Sequence, residues 1–321
     1  MNEKTGLIAD IGATNARFAL CAADGVYRDE RVYKCTEYPG LVDAARAYLA
    51  EIGNPPVHAG AFAVAGPVMG DKVTMTNHPW EFSIEATRRA LGLSQLKVMN
   101  DFEAVALGVP HLAPDMIRAV GPDIVPAPGG QIGIIGPGTG LGVASLIWTG
   151  ERYIPVAGEG GHVTAAARTQ REFDVLVTLK SKYRHVSAER VCSGKGLVNI
   201  YDALRTLDGR NDLHERTAEE ISKAALDKSD ALCIESLDIM LDFLGNVARN
   251  IALTLGTFGG IYIAGGICLQ LGEGFFTSGF RSNFEGDGRY VDYLRKIPTF
   301  LILHPFIALV GLSNTLSRNL K

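Results

Sequence analysis

Apolar positions in this chain fall into short runs, and glycine-containing turns break the runs in two places in the same way. Residues 6–9 and 16–21 are apolar runs on either side of Asp10-Ile11-Gly12-Ala13-Thr14-Asn15. Residues 132–135 and 141–147 flank Gly136-Pro137-Gly138-Thr139-Gly140 in like manner. Each segment reads as strand, tight turn, strand. Such a turn bares backbone N–H groups and adds a threonine hydroxyl, which together make a seat for phosphate oxygens. Two such seats point to two lobes that grip one nucleotide from opposite sides.

The rest of the pattern alternates strands and helices. Residues 5–34 read as three strands, with Asp24-Gly25 as a hairpin turn. Leu41, Ala44, Ala45, Tyr48, Leu49 and Ile52 follow helical spacing, and Gly53 stops that helix. Residues 59–65 form an apolar strand ending at Gly66-Pro67. Ser83 caps a helix running to about Leu91, with Gly92 as its stop. Residues 96–99 are a short strand that delivers Asn100-Asp101 at its C-terminal end, the edge where open α/β sheets bind ligands. A Pro/Gly-rich loop covers 121–130, and a further strand covers 152–156. Helices are expected over 170–184 and 196–207. Leu241, Leu244, Ala248, Ile251 and Leu255 mark a long helix that ends near Gly259-Gly260. It feeds a strand at 261–264 and then Gly265-Gly266. Residues 301–304 read as a last strand, and Pro305 fits the first turn of a helix through Leu320.

Composition narrows the class. At 321 residues the chain is too long for one ordinary core. A hydrophobic content of 47% with 21% charged residues excludes a disordered chain. The net charge is −4 and no block of five Lys or Arg occurs, which argues against nucleic acid as a partner. The longest apolar stretches, 132–147 and 298–312, are broken by glycine and proline, so no membrane span is expected. No positive segment followed by an apolar one opens the sequence, and the cytosol is the expected compartment. The cysteines, Cys21, Cys35, Cys192, Cys233 and Cys268, form no CxxC, so structural zinc is not expected.

The common nucleotide motifs are missing. The only Gly-Lys, Gly194-Lys195, is followed by Gly196, so no Walker A loop exists. A dinucleotide fingerprint fails at Leu141 and at Val143, and both turns lead into strands rather than helices. On residues alone, Asn100-Asp101 caps a helix over Phe102 to Leu107, or Asp101 is a general base, or both. Asp10 either holds Mg²⁺ through water or stabilises its own turn. Thr14 and Thr139 either donate to phosphate or serve the turns. The Glu159-x-x-His162 spacing suggests a metal pair, but Gly160-Gly161 between them argues for a loop. Arg190 is expected in an ion pair. Gly265-Gly266 either admits a ligand close to the backbone or is a tight strand-to-helix turn.

Six segments together carry a resemblance. They are Ala9-Asp10-Ile11-Gly12-Ala13-Thr14-Asn15-Ala16-Arg17, Met75-Thr76-Asn77-His78-Pro79-Trp80, Asn100-Asp101-Phe102, residues 136–142 with Gly158-Glu159-Gly160-Gly161-His162, His185-Val186-Ser187-Ala188-Glu189-Arg190, and Leu255-Gly256-Thr257-Phe258-Gly259-Gly260 followed by Ile263-Ala264-Gly265-Gly266-Ile267. The chain resembles the bacterial glucokinases of the enteric type, within the hexokinase/actin-like ATPase superfamily. The resemblance implies an α/β fold of two lobes around a cleft. The small lobe would take 1–110 and the C-terminal helix from about 301–321, and the large lobe 111–300. It implies ATP-dependent phosphorylation of D-glucose at the 6-hydroxyl, with ATP and Mg²⁺ required and a homodimeric, cytoplasmic enzyme. Asp101 would be the base. Asn100, Asp101, Glu159, His162 and Glu189 would hold the sugar, and Asn77-His78 would shape its pocket. Ala9, Asp10, Ile11, Gly12, Ala13, Thr14, Gly138, Thr139, Gly265 and Gly266 would hold the nucleotide, with Asp10 reaching Mg²⁺ through water.

Two residues depart from that family's pattern: Ala13 stands where glycine is usual, and Lys195 where proline is frequent. A positive φ at Ala13 would cost about 1 kcal/mol. Another hexose as substrate, a sugar-sensing regulator and a sugar-independent actin-like ATPase are the competing readings. The last would leave Glu159, His162 and Glu189 unexplained.

Overall fold

The computed structural model describes residues 4–75, 80–210, 212–318 and 320. Its internal contacts divide the chain into two units, residues 1–113 with 304–321, and residues 114–303.

In the first unit the strands are β1 (Gly6–Ile11), β2 (Asn15–Cys21), β3 (Tyr27–Lys34), β4 (Ala59–Val64), β5 (Lys72–Thr74), β6 (Glu81–Ser83) and β7 (Gln95–Asn100). Five of them form one sheet in the order β3-β2-β1-β4-β7, while β5 and β6 pair with each other. The first three are antiparallel, and β4 and β7 run parallel to β1. Side chains alternate across the sheet. Leu7, Ala9, Ile11, Phe18 and Phe62 are fully buried on one face against the helix Leu41–Glu51, whose Tyr48 ring stacks on Phe18 at 5.5 Å. The opposite face is covered by the helix Ile307–Ser317. A side chain at Gly6 would run into Leu316 of that helix.

The caps expected at Ser83 and Asn100 are present. Ser83 Oγ accepts the Ala86 N–H at 3.0 Å, and Asn100 Oδ1 accepts the N–H groups of Phe102 and Glu103 at 2.8 and 3.3 Å. The C-terminal helix starts two residues later than the proline suggested. His304 Nδ1 accepts the Phe306 N–H at 3.1 Å, which closes a turn around Pro305 before the helix begins at Ile307.

The second unit adds β8 (Ile117–Ala119), β9 (Ile132–Pro137), β10 (Leu141–Trp148), β11 (Tyr153–Gly158), β12 (Gly260–Ile263) and β13 (Thr299–Ile302), in the order β11-β10-β9-β12-β13-β8. Again three antiparallel strands are followed by two parallel ones. The helix Ala231–Leu255 is capped by Asp230 and packs on this sheet, where a side chain at Gly133 would meet its Ile251. It stops at Gly256, not at Gly259-Gly260. Gly256 adopts φ +64°, the left-handed conformation that closes helices cheaply only at glycine. The helix expected over 170–184 ends at Leu179. Lys180, Ser181 and Lys182 are exposed, while the Tyr183 hydroxyl donates to Asn199 Oδ1 at 3.0 Å from outside the helix.

Among the described residues no helix is long and apolar enough to cross a membrane. The five cysteines are buried and free.

Candidate active site

The first turn is a hairpin end held from within and from the side. Gly12 N–H donates to the Asn15 carbonyl at 2.9 Å, and Cys35 N–H donates to the Thr14 carbonyl at 2.9 Å. The Cys35 thiol also reaches the Gly12 carbonyl at 3.5 Å. Thr14 is left exposed at the tip. Among the described non-glycine residues only Asp29, Asn54 and Lys228 have positive φ, so the methyl group of Ala13 carries no left-handed strain.

Asp10 lies one residue before the end of β1, directly across from Arg17 on β2. Arg17 Nη1 donates to Asp10 Oδ2 at 3.0 Å, with the two side chains 31% and 16% exposed. Burial raises the Asp10 carboxyl above the usual carboxylate range, and Arg17 pulls it part of the way back.

The register aligns Ile11 with Val64 and Val64 with Asn100. The first glycine-threonine turn and Asn100-Asp101 therefore leave the same C-terminal edge of three parallel strands. Asp101 is the first residue of the helix Asp101–Gly108. Strand spacing and rise put the Cα atoms of Asp10 and Asp101 about 12 Å apart. The Asn100 amide also donates to the Gly66 carbonyl at 3.2 Å, which ties the end of β7 to the loop after β4. That contact and Arg17 are site features the motif reading did not single out. The Asn77-His78 pair lies outside the described residues.

In the second unit Gly138 N–H donates to the Gly140 carbonyl at 2.8 Å, and Thr139 is exposed. Nothing lies within 4 Å of where a Gly138 side chain would sit, so the backbone there is open to a ligand. Gly265, with φ +92°, packs on the Pro137 carbonyl where a Cβ would overlap, while Gly266 is open. Ala264 N–H donates to the Ile135 carbonyl at 2.7 Å. The structure thus brings Gly138, Thr139, Gly265 and Gly266 together at the C-terminal ends of β9 and β12.

Glu159, His162 and Glu189 belong to one hydrogen-bonded block. Ala165 N–H donates to the Val186 carbonyl at 3.0 Å, and Ala188 N–H to the Val163 carbonyl at 2.8 Å. His162 Nε2 lies 3.9 Å from Glu159 Oε2, and both side chains are 58% exposed. Glu189 also takes a structural load, since its Oε2 accepts the Leu141 N–H at 3.0 Å. Ser193 donates to the Glu189 carbonyl at 2.8 Å and caps the helix Gly194–Leu207, whose first N–H reaches the Gly138 carbonyl at 2.9 Å. The turn, Glu189 and the helix start are thereby one assembly. Arg190 stacks on the Tyr183 ring at 4.2 Å, and no carboxylate lies within ion-pair distance of it among the described residues.

Two α/β units, each carrying a glycine-threonine hairpin and one of them a Glu/His/Glu block, define a sugar kinase with the actin-like ATPase fold. Comparison with known proteins agrees. The sequence profile of the Glucokinase family matches residues 7–319. The chain is 48% identical over 309 residues to a glucokinase from Paramagnetospirillum magneticum, covering 96% of each. It is 46% identical to one from Aromatoleum aromaticum, covering 98% of this chain and 95% of that one. The crystal structure of a glucokinase from an Antarctic psychrotroph superposes with a TM-score of 0.87 at 32% identity, covering 98% of this chain and 99% of that one. The chain belongs to the glucokinase family, and its reaction is the ATP-dependent phosphorylation of glucose to glucose 6-phosphate.

Proposed function

We propose that Asp101 is the general base that takes the proton from the glucose 6-hydroxyl as the γ-phosphoryl group of ATP is transferred. The observation that carries this reading is the placement of Asp101. It starts a helix at the same sheet edge as the first phosphate turn, held in place by the Asn100 cap. Asp101 Oδ1 accepts the Phe102 N–H at 2.9 Å, which restrains the carboxylate, and proton transfer in a phosphoryl-transfer site requires a positioned base. The exposed Thr14 and Thr139 and the backbone of their turns take phosphate oxygens. Ala9, Asp10, Ile11, Gly12 and Ala13 complete the first seat, and Gly265-Gly266 lets the adenosine lie against the backbone. Asn100, Glu159, His162 and Glu189 bind sugar hydroxyls.

Mg²⁺ fits the donor set. Magnesium keeps several waters and is held by one or two carboxylates with substrate phosphates, and Asp10 supplies one partly exposed carboxylate beside a phosphate turn. When bound, the ion neutralises charge on the phosphates. By resemblance to the family, the enzyme acts as a homodimer in the cytoplasm, with small molecules rather than nucleic acid or membrane as partners.

The test is a coupled assay of ADP release with Mg·ATP and glucose, mannose, fructose, N-acetylglucosamine or no sugar. Turnover should be far higher with glucose than with the rest, and Asp101→Ala should remove it. Near-normal turnover by Asp101→Ala would sink the assignment of the base.

A further inference from the structure

Arg17 has no role in the reaction as described so far, yet its contacts are specific. It faces Asp10 across the β1–β2 ladder, where directly opposed side chains have Cβ atoms about 5 Å apart. Its Nη1 binds only one oxygen of that carboxylate, Oδ2, at 3.0 Å. On its other side the guanidinium lies 5.7 Å from the ring centre of Phe306, the residue before the C-terminal helix. Ala63, the neighbour of Asp10 on β4, is buried and offers no polar side chain. Among the described residues no other cation comes within 4 Å of Asp10. Asp10 is thus held by a single guanidinium N–H, and that guanidinium is itself packed by an aromatic ring.

We propose that Arg17 is a positioning residue for nucleotide-bound Mg²⁺: it pins Oδ2 of Asp10 and so presents Oδ1 toward the ion's water shell. The proposal rests on the reading of Asp10 as the magnesium residue. A carboxylate already held in one rotamer loses little freedom when the ion arrives, and partners that orient a metal-binding group act through that restriction. Arg17 touches neither ion nor phosphate in this account.

The test is calorimetric titration of the whole chain with ADP, once with Mg²⁺ and once with EDTA. Wild type is compared with Arg17→Met, Arg17→Lys, Asp10→Asn and the Arg17→Met/Asp10→Asn double variant. Removing an orienting partner typically weakens metal binding by roughly tenfold to a hundredfold. Arg17→Met should therefore weaken Mg·ADP by at least about tenfold and leave metal-free ADP within about twofold. Arg17→Lys, which keeps the charge without the planar guanidinium, should recover only part of the loss, and the double variant should match Asp10→Asn alone, because both changes remove one interaction. Thermal unfolding of each variant identifies any that is misfolded, and Arg17→Lys keeps the charge if Arg17→Met is. Three results overturn the proposal: an equal loss for metal-free ADP, which would put Arg17 on the phosphates; additive losses in the double variant; or no effect of Arg17→Met where Asp10→Asn has one. If Asp10→Asn itself leaves the preference for Mg·ADP intact, the magnesium reading of Asp10 fails first.

Discussion

Gly311, in the C-terminal helix, lies directly against the carbonyl of Ala104 in the helix that begins at Asp101, with no room for a side chain between them. The contact is reciprocal, since a Cβ at Gly108 would collide with the Ile307 carbonyl. The helix Ile307–Ser317 therefore sets the position of the helix that begins at the proposed base, Asp101. Gly311→Leu should destabilise the first unit by about 1–3 kcal/mol or more, because neither backbone can give way. A melting temperature several degrees lower, with activity lost at temperatures the wild type tolerates, is the expected result.

Asp101 and Asn100 should separate in their effects. Asp101→Ala should reduce kcat by roughly 10²- to 10⁴-fold, the usual contribution of a general base. Asp101 Oδ1 accepts the Phe102 N–H at 2.9 Å, so the melting temperature should fall only slightly, because Asn100 Oδ1 still accepts the Phe102 and Glu103 N–H groups. Asn100→Ala loses that cap at about 1 kcal/mol and also releases the Gly66 loop, so stability and glucose KM should both suffer. Steady-state kinetics and thermal unfolding of the two variants check the division.

Glu189 is a proposed sugar residue, and through the Leu141 N–H it also holds the second glycine-threonine turn. Glu189→Gln keeps an acceptor for that N–H and should raise chiefly the KM for glucose. Glu189→Ala leaves the donor without its partner, at about 1–3 kcal/mol, and should raise the KM for ATP as well. Equal effects of the two variants on ATP would show that the turn does not depend on this carboxylate.

Asp242 makes stability depend on pH. Burial, with Glu172 and Asp238 nearby, pushes its carboxyl up to about 6 against the pull of Arg168. The folded pKa lies above the unfolded one, so the folded state holds the proton more tightly. Stability is then lost as pH rises from about 4 to 6, and the deficit persists above that. After allowance for solvent screening the deficit is about 1–2 kcal/mol at neutral pH. Asp242→Asn should remove this dependence and leave the protein at least as stable as wild type at pH 7.5, because Asn283 can still donate to the side-chain oxygen. Urea unfolding at a series of pH values measures it.

Local demands were legible from residues alone. Both glycine-threonine turns could be found because a tight turn needs glycine, and because apolar runs on either side mark the strands. The Ser83 and Asn100 caps were legible for the same reason. Helix ends that depend on context were not. Gly256 stops the long helix although Gly259-Gly260 looked the stronger signal, and exposed Lys180, Ser181 and Lys182 end another helix where the periodicity continues on paper.

The recurring hairpin was visible in the sequence, but the full recurrence was not. The orders β3-β2-β1-β4-β7 and β11-β10-β9-β12-β13 are one topology used twice. Parallel pairing joins strands that are far apart in sequence, and no short pattern encodes it. The same holds within the site. The sequence by itself determined which residues could bind phosphate, sugar and proton, because those capacities belong to side chains and to glycine backbone. Only the tertiary structure decided that Arg17 faces Asp10, that Glu189 braces the second turn and that Gly311 seats the helix of Asp101. Each of those is a contact between distant segments, and its geometry comes into being only when the sheets and helices pack.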